Sequence, residues 1–522
     1  MTIVIVGSGP AGAFAALGAL QAGAKVLMID AGLQPEGVVQ ELKEKLGTID
    51  WKDLSPIKRA AIKASHASSI SNLSHKRVFA SDFSTRSIKP DAIQESGCRI
   101  TQSFALGGLS NIWGRGVEPP YIGEFDHWSF KGGFIESLQV VLSHIPFSAV
   151  EDNLAEVMPL YTNNHTPLHT SQECKELFEK WNDNKATLNS NGIHFGQARL
   201  AMRQGKSESH GCQLCNMCFY GCPYGALFDS SEIISSLSAH YPNFEYRPSL
   251  LVKSFSAHSC GDVVMKVETI EGKEIENIRA QKLILAAGPP QTTLIVMRSL
   301  GIRNAVLKNS DLIKIPFIKI FGRTSKEEEY HSLSQLTLTI DDRKITKKAA
   351  VMHLFGKNPM ITDAVLSFFP SRWRTTLEKI FHPFFSRFFI GMCFLHSDDS
   401  GEIHVRDDGK KTKFTSNRKR SVFRIYIQLL WLLLIHIKKT GLLPIPVIGG
   451  VDLPGSSVHI GSSTPINGST HLSTNSDGEL TSFESVHVAD AASLPDIPAG
   501  SFTLSIMANA HRIGRIVGTG DA

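Results

Sequence analysis

Short apolar runs bounded by glycine open and close this chain, with longer mixed patterns between them. Residues 2–6, TIVIV, form a β-branched run that predicts a buried strand. Residues 13–22 carry small side chains and predict a helix, and residues 25–29, KVLMI, predict a second strand ending at Asp30. A charged helical stretch (41–63) and a serine-rich polar stretch to about residue 96 follow. Residues 134–185 read as helical, with apolar positions at helical spacing in 134–141 and 154–161. Strands are expected at 250–255, 263–269, 282–288 (running into a turn), 336–340, 389–395, 402–405 and 485–490, and a last helix at 503–517. Residues 425–437 come nearest to a membrane span. They fall short of the ~20 apolar residues a span needs and contain Gln428 and His436, so a buried helix is expected there.

The opening turn, Gly7-Ser8-Gly9-Pro10-Ala11-Gly12, changes the picture. It sits between a strand and a helix, with a second strand and an acid behind it, which is the context a dinucleotide site requires. Gly7 permits the tight turn, Gly9 lets the backbone approach a diphosphate, and Gly12 lets helix and strand pack closely. The diphosphate would rest on the free N–H groups of the helix start, and Asp30 would accept hydrogen bonds from ribose hydroxyls. The turn alone does not separate FAD from NAD.

At 522 residues the chain is long enough for two or more lobes. Its 54 basic and 49 acidic residues leave a net charge of +5, too balanced to argue for nucleic acid, and no nucleic-acid-binding motif is present. The first strand begins at residue 2, which leaves no room for a signal peptide and predicts a cytoplasmic protein.

Four of the eight cysteines, Cys98, Cys174, Cys260 and Cys393, are scattered and expected to be buried thiols. The others, Cys212, Cys215, Cys218 and Cys222, fall within eleven residues in the order Cys-x2-Cys-x2-Cys-x3-Cys-Pro. That spacing matches the ligand run of bacterial ferredoxins, in which the fourth cysteine can serve another cluster. Three occupancies stay open: a 4Fe-4S or 3Fe-4S cluster, a structural zinc, or an unmetallated loop. A cluster beside a two-electron cofactor would make the protein a dehydrogenase feeding an external acceptor, a protein or a quinone.

The opening unit, Gly107-Gly108-Leu109-Ser110-Asn111-Ile112-Trp113-Gly114-Arg115-Gly116, Ala286-Ala287-Gly288, and Val488-Ala489-Asp490 followed by Leu494-Pro495 resemble the glucose–methanol–choline (GMC) family of flavoprotein oxidoreductases. The resemblance implies an α/β fold with a discontinuous Rossmann-like FAD-binding domain (1–120, 205–305 and 450–522). A substrate domain of antiparallel sheet and helices (121–204 and 306–449) would complete it. It places Gly7, Gly9, Pro10, Ala11, Gly12, Asp30, Gly107, Gly108, Ser110, Asn111, Ala287, Gly288, Asp490 and Ala491 along FAD. Ile112 stands where some relatives carry a flavin-linked histidine, which implies non-covalent FAD. His459, two residues before Gly461, would be the catalytic base, where many relatives place it three before. Ser501 stands where asparagine or histidine is usual and would orient the substrate. The reaction implied is oxidation of an alcohol, polyol or sugar CH–OH group. The alternatives are the same scaffold run as a reductase, or a non-catalytic electron-transfer flavoprotein subunit.

Residues 368–389 hold seven phenylalanines and Trp373 among Arg372, Arg374, Lys379 and Arg387. Ordinary packing of the second lobe is the favoured expectation, and contact with a membrane surface the other reading.

Overall fold

The computed structural model describes residues 1–67, 78–88, 93–124, 128, 132–205, 210–258, 261–275, 277–322, 330–356, 370, 372–373, 376, 387–446, 449–469 and 471–520. Most of the aromatic, basic stretch 368–389 and Cys260 lie outside them.

The strand Thr2–Val6 becomes the middle of a five-stranded parallel sheet because its alternate side chains are apolar on both faces and all but Thr2 are buried. Lys25–Ile29 and then Phe244–Arg247 extend the sheet on one side, Lys282–Leu285 and then Val486–Val488 on the other. The chain leaves the first strand in both directions, so its carboxyl end is the switch point at which such sheets hold ligands. Against this sheet pack the helix Pro10–Gln21 and the closing helix Thr503–Thr519. Small residues let these two helices touch backbone to backbone. A Cβ on Gly514 would lie 2.0 Å from the Ala15 carbonyl oxygen, and one on Gly18 would lie 2.2 Å from that of His511. Gly514→Val should therefore cost about 3 kcal/mol or more, read as a lower midpoint in urea or thermal unfolding.

The second large element is a seven-stranded antiparallel sheet. Its main path runs Leu442–Pro444, Leu312–Lys319, Phe388–Phe394, Ala350–Phe355, Leu336–Ile340, Ile193–Gln197, with Gly450–Val451 also paired to Leu312–Lys319. One core packs around it, including Trp181, Phe195, Phe317, Leu338 and the inner side of the helix Arg420–Ile435. A mixed five-stranded sheet and a three-stranded antiparallel sheet complete the strands. The architecture is mixed α/β, a parallel nucleotide-type sheet beside an antiparallel sheet, as the expected fold class has it.

Two local expectations fail. The spacing at 154–161 forms a single turn, Asn153–Glu156, and not a helix. Pro159 removes a helical donor just downstream, and the apolar side chains Leu154, Val157 and Met158 are buried from a loop. The helix at 425–437 exists as Arg420–Ile435, but only one side of it is buried. Among the described residues no helix is long and apolar enough to cross a membrane.

Candidate active site

Gly7 follows the first strand with φ +103° and donates its N–H to the Ile29 carbonyl (2.8 Å), which folds the turn back over the sheet edge. A Cβ at Gly7 would lie 2.4 Å from the Ala286 carbonyl oxygen, and one at Gly12 1.9 Å from that of Gly7. Gly9, by contrast, has no atom within 4 Å of such a Cβ. The helix beginning at Pro10 has no side-chain cap, which leaves its first N–H groups without a side-chain partner next to that open space. Gly108, with φ +58°, walls it from the other side, 3.2 Å from Gly9 Cα by the same measure. An uncapped helix start with a cleft in front of it fits a diphosphate.

Asp30 lies behind the turn. Its carboxylate accepts hydrogen bonds from Ser8 Oγ and from the Tyr246 hydroxyl (3.2 Å), and burial pushes its pKa up to about 6. Two hydroxyl donors on one half-buried carboxylate are what a ribose diol would supply. Tyr246 went unnoticed in the sequence because it stands on a strand far from the glycine turn.

Other expected cofactor residues serve the scaffold. Ser110 Oγ donates to Gly107 O and meets Ser230 Oγ (3.1 Å), and Asn111 Nδ2 donates to Leu106 O and Gly108 O (both 2.8 Å). These bonds hold the glycine loop in shape and leave its main chain toward the cleft. The Ala287 N–H donates to Thr292 Oγ1 (3.2 Å), whose hydroxyl donates to Asp490 (2.5 Å), and Asp490 also accepts from Ala492 N (2.9 Å). Burial raises the Asp490 pKa to about 6. Ala491 O accepts from Ser462 N (2.8 Å), which ties the Asp490 turn to the loop that carries His459.

The His459 ring stacks on Phe394 (centroids 4.7 Å apart, 26° between planes) and meets the edge of Phe502 at 5.1 Å. Burial, and secondarily the charge of His353, depress its pKa to about 3, so the imidazole is neutral and its buried Nδ1 has no hydrogen-bond partner. His353 Nδ1 lies 3.3 Å from Glu118 Oε1, both side chains being buried, and His353 Nε2 is also unpartnered. Ser501 reaches the same place: a Cβ at Gly116 would lie 2.2 Å from Ser501 Oγ and 3.0 Å from Glu118 Oε2. Phe502 beside the His459 ring and Glu118 near Ser501 put His459 and Ser501 in one neighbourhood, which also holds His353. Neither His353 nor Glu118 carries a local motif that could have announced it.

The cysteine loop forms a third feature. Cys212, Cys215, Cys218 and Cys222 line one small concavity of about 10 Å³ together with Asn216, Tyr224 and His331. Among the described residues the cysteines are free thiols, and no three His, Cys, Asp or Glu side chains stand as a ready metal-binding group. Burial raises the thiol pKa of Cys212, Cys215 and Cys218. Neither ring nitrogen of the fully buried His331 makes a hydrogen bond of normal geometry, nor do the Asn216 amide and the Tyr224 hydroxyl. The donor types fit a thiophilic metal centre; the present spacing of the side chains does not close one. Arg115 lies between this loop and the glycine turn. Its guanidinium donates to Asn111 O (3.3 Å) and Trp113 O (2.8 Å) and feels the charges of Asp229, Cys222 and Cys218.

Parallel sheet, uncapped glycine turn and antiparallel second sheet together have the fold of GMC-type flavin oxidoreductases. Solved structures of this fold match nearly end to end. A pyridoxine 4-oxidase from Mesorbium loti is 14% identical, with 98% of each chain covered and a TM-score of 0.60. A formate oxidase is 13% identical, with 99% of this chain and 98% of that chain covered and a TM-score of 0.59. A fungal aryl-alcohol oxidase is 12% identical, with 99% and 98% covered and a TM-score of 0.60. No protein-family model matches the sequence, and no curated protein matches it.

Proposed function

We propose that this chain is a FAD-dependent oxidoreductase that oxidises a CH–OH group of a small alcohol, polyol or sugar. The observation that carries the reading is the open, uncapped helix start at Gly9, walled by Gly108 and backed by the half-buried Asp30. Gly7 to Gly12, Asp30 and the Gly107–Gly108 main chain would hold FAD without a covalent bond, since Ile112 offers no nucleophile. When bound, FAD supplies the hydride acceptor.

His459 takes the hydroxyl proton. Its ring is fixed between Phe394 and Phe502 and arrives neutral, the form a base must have. His353 and Glu118, 3.3 Å apart, form a short polar chain beside it. Ser501 orients the substrate hydroxyl.

The finer reading concerns the electron acceptor. The structural neighbours are named oxidases, which favours oxygen. The cysteine concavity favours an iron–sulfur cluster held by Cys212, Cys215, Cys218 and Cys222 and an external acceptor protein or quinone. We infer the second, because four thiols at the Cys-x2-Cys-x2-Cys-x3-Cys spacing line one concavity with the unpartnered Asn216 amide.

Anaerobic purification tests both parts. The protein should be yellow, and some alcohol or sugar should bleach it. A colourless protein, or one bleached only by redox partners, would overturn the enzyme reading in favour of an electron carrier. Iron and acid-labile sulfide should appear in near-stoichiometric amounts and vanish in Cys215→Ser; their absence from the wild type, with peroxide produced in air, would leave an oxidase.

A further inference from the structure

The helix Arg420–Ile435 has two apolar sides, and the described residues cover only one. Val422, Ile425, Tyr426, Leu429 and Leu433 are buried in the core of the antiparallel sheet. At 3.6 residues per turn, Phe423, Ile427, Trp431, Leu434 and Ile435 fall on the opposite side, and all five are exposed. Phe423 is 55%, Trp431 61% and Ile435 72% accessible. The ends of this outer stripe are basic. Arg420 and Arg424 share its face near the start and Lys438 shares it just past the end, with Arg418 and Lys419 exposed before the helix. Residues 417–440 contain six Lys or Arg and no Asp or Glu.

We propose that this outer face docks flat on an anionic lipid bilayer, with Phe423, Ile427, Trp431 and Leu434 inserted among the acyl chains and the flanking cations on the headgroups. Sixteen residues make a helix of about 24 Å, too short to span a bilayer but well matched to lying in its surface. An aromatic and aliphatic stripe bracketed by Lys and Arg is the composition that headgroup and acyl layers select together. A second copy of the chain fits less well. Antiparallel pairing of two such helices would set Arg418, Lys419, Arg420 and Arg424 of one against the lysines at the end of the other. The proposal is independent of the reaction assigned above.

Vesicle flotation with the full-length, flavin-loaded protein tests it. The wild type should float with vesicles of equal parts phosphatidylcholine and phosphatidylglycerol, and at least tenfold less with phosphatidylcholine alone. Phe423→Ser combined with Trp431→Ser should abolish flotation yet leave the unfolding midpoint and the flavin spectrum unchanged, because both side chains point away from the core. Arg420→Gln combined with Arg424→Gln should remove the preference for anionic lipid. A wild type that stays with the unbound fraction overturns the proposal, as does a double serine variant that floats as well as the wild type. A dimer in sedimentation that dissociates on the serine substitutions, without flotation, would assign the face to a second copy instead.

Discussion

Gly12→Val should yield a protein that neither binds flavin nor folds to its normal stability, whereas Gly9→Ala should fold normally and lose flavin selectively. The contrast follows from where each new methyl group goes. At Gly12 it would lie 1.9 Å from the Gly7 carbonyl oxygen, a backbone atom that cannot swing aside. Relief requires the first helix to move off the strand, and that helix also packs on the closing helix. The expected cost is about 3 kcal/mol or more, a large part of the stability of most domains. At Gly9 the methyl group meets nothing within 4 Å, and the local φ of −62° suits alanine. It projects into the space in front of the helix start. Flavin occupancy should fall tenfold or more, equivalent to about 1.4 kcal/mol, while the unfolding midpoint of the flavin-free protein stays put. Flavin absorbance after purification and urea unfolding measure the two quantities separately. If Gly9→Ala keeps full flavin content, the cleft at the helix start is not the diphosphate site.

The nucleotide-type end of the molecule was readable because its chemistry is local. Six residues, Gly7 to Gly12, specify the turn, and Asp30 follows within one strand–helix–strand unit. The second sheet was harder to read for a physical reason. Ala350–Phe355 is buried on both faces, so the polar–apolar alternation that marks a half-exposed strand is absent there. The strands Leu312–Lys319 and Ile193–Gln197 left no clear signal either. Apolar spacing misled at 154–161, where Leu154, Val157 and Met158 are buried from an irregular segment. At 425–437 the pattern is mostly apolar despite Gln428 and His436, which reads as burial; the exposed Trp431 appears only once the fold assigns one side of the helix to the core. His353 and Glu118 illustrate the remaining gap. They lie 235 residues apart and are joined only by tertiary structure.

His459→Ala should reduce the rate of substrate-driven flavin bleaching by about 10²- to 10⁴-fold while leaving flavin bound, because the substitution removes a base and no part of the nucleotide cleft. The pH dependence separates a base from a packing residue. Burial holds the His459 pKa near 3, far below its ordinary value of 6.5. The imidazole of the free enzyme is therefore already neutral at pH 5, and kcat/KM should show no acid limb at 6.5. His353→Ala removes the smaller cause of the depression, the neighbouring imidazole charge, while burial remains, so His459 should titrate at somewhat higher pH yet stay below its ordinary value. Stability carries the same sign. Below pH 6.5 the unfolded chain binds a proton at this histidine that the native state refuses, so folding weakens as the pH falls from 6.5 toward 3. His459→Ala should flatten that part of the stability profile and lose the base at once. A variant that flattens the profile but bleaches at the wild-type rate would make His459 a buried packing residue and move the search for the base to His353.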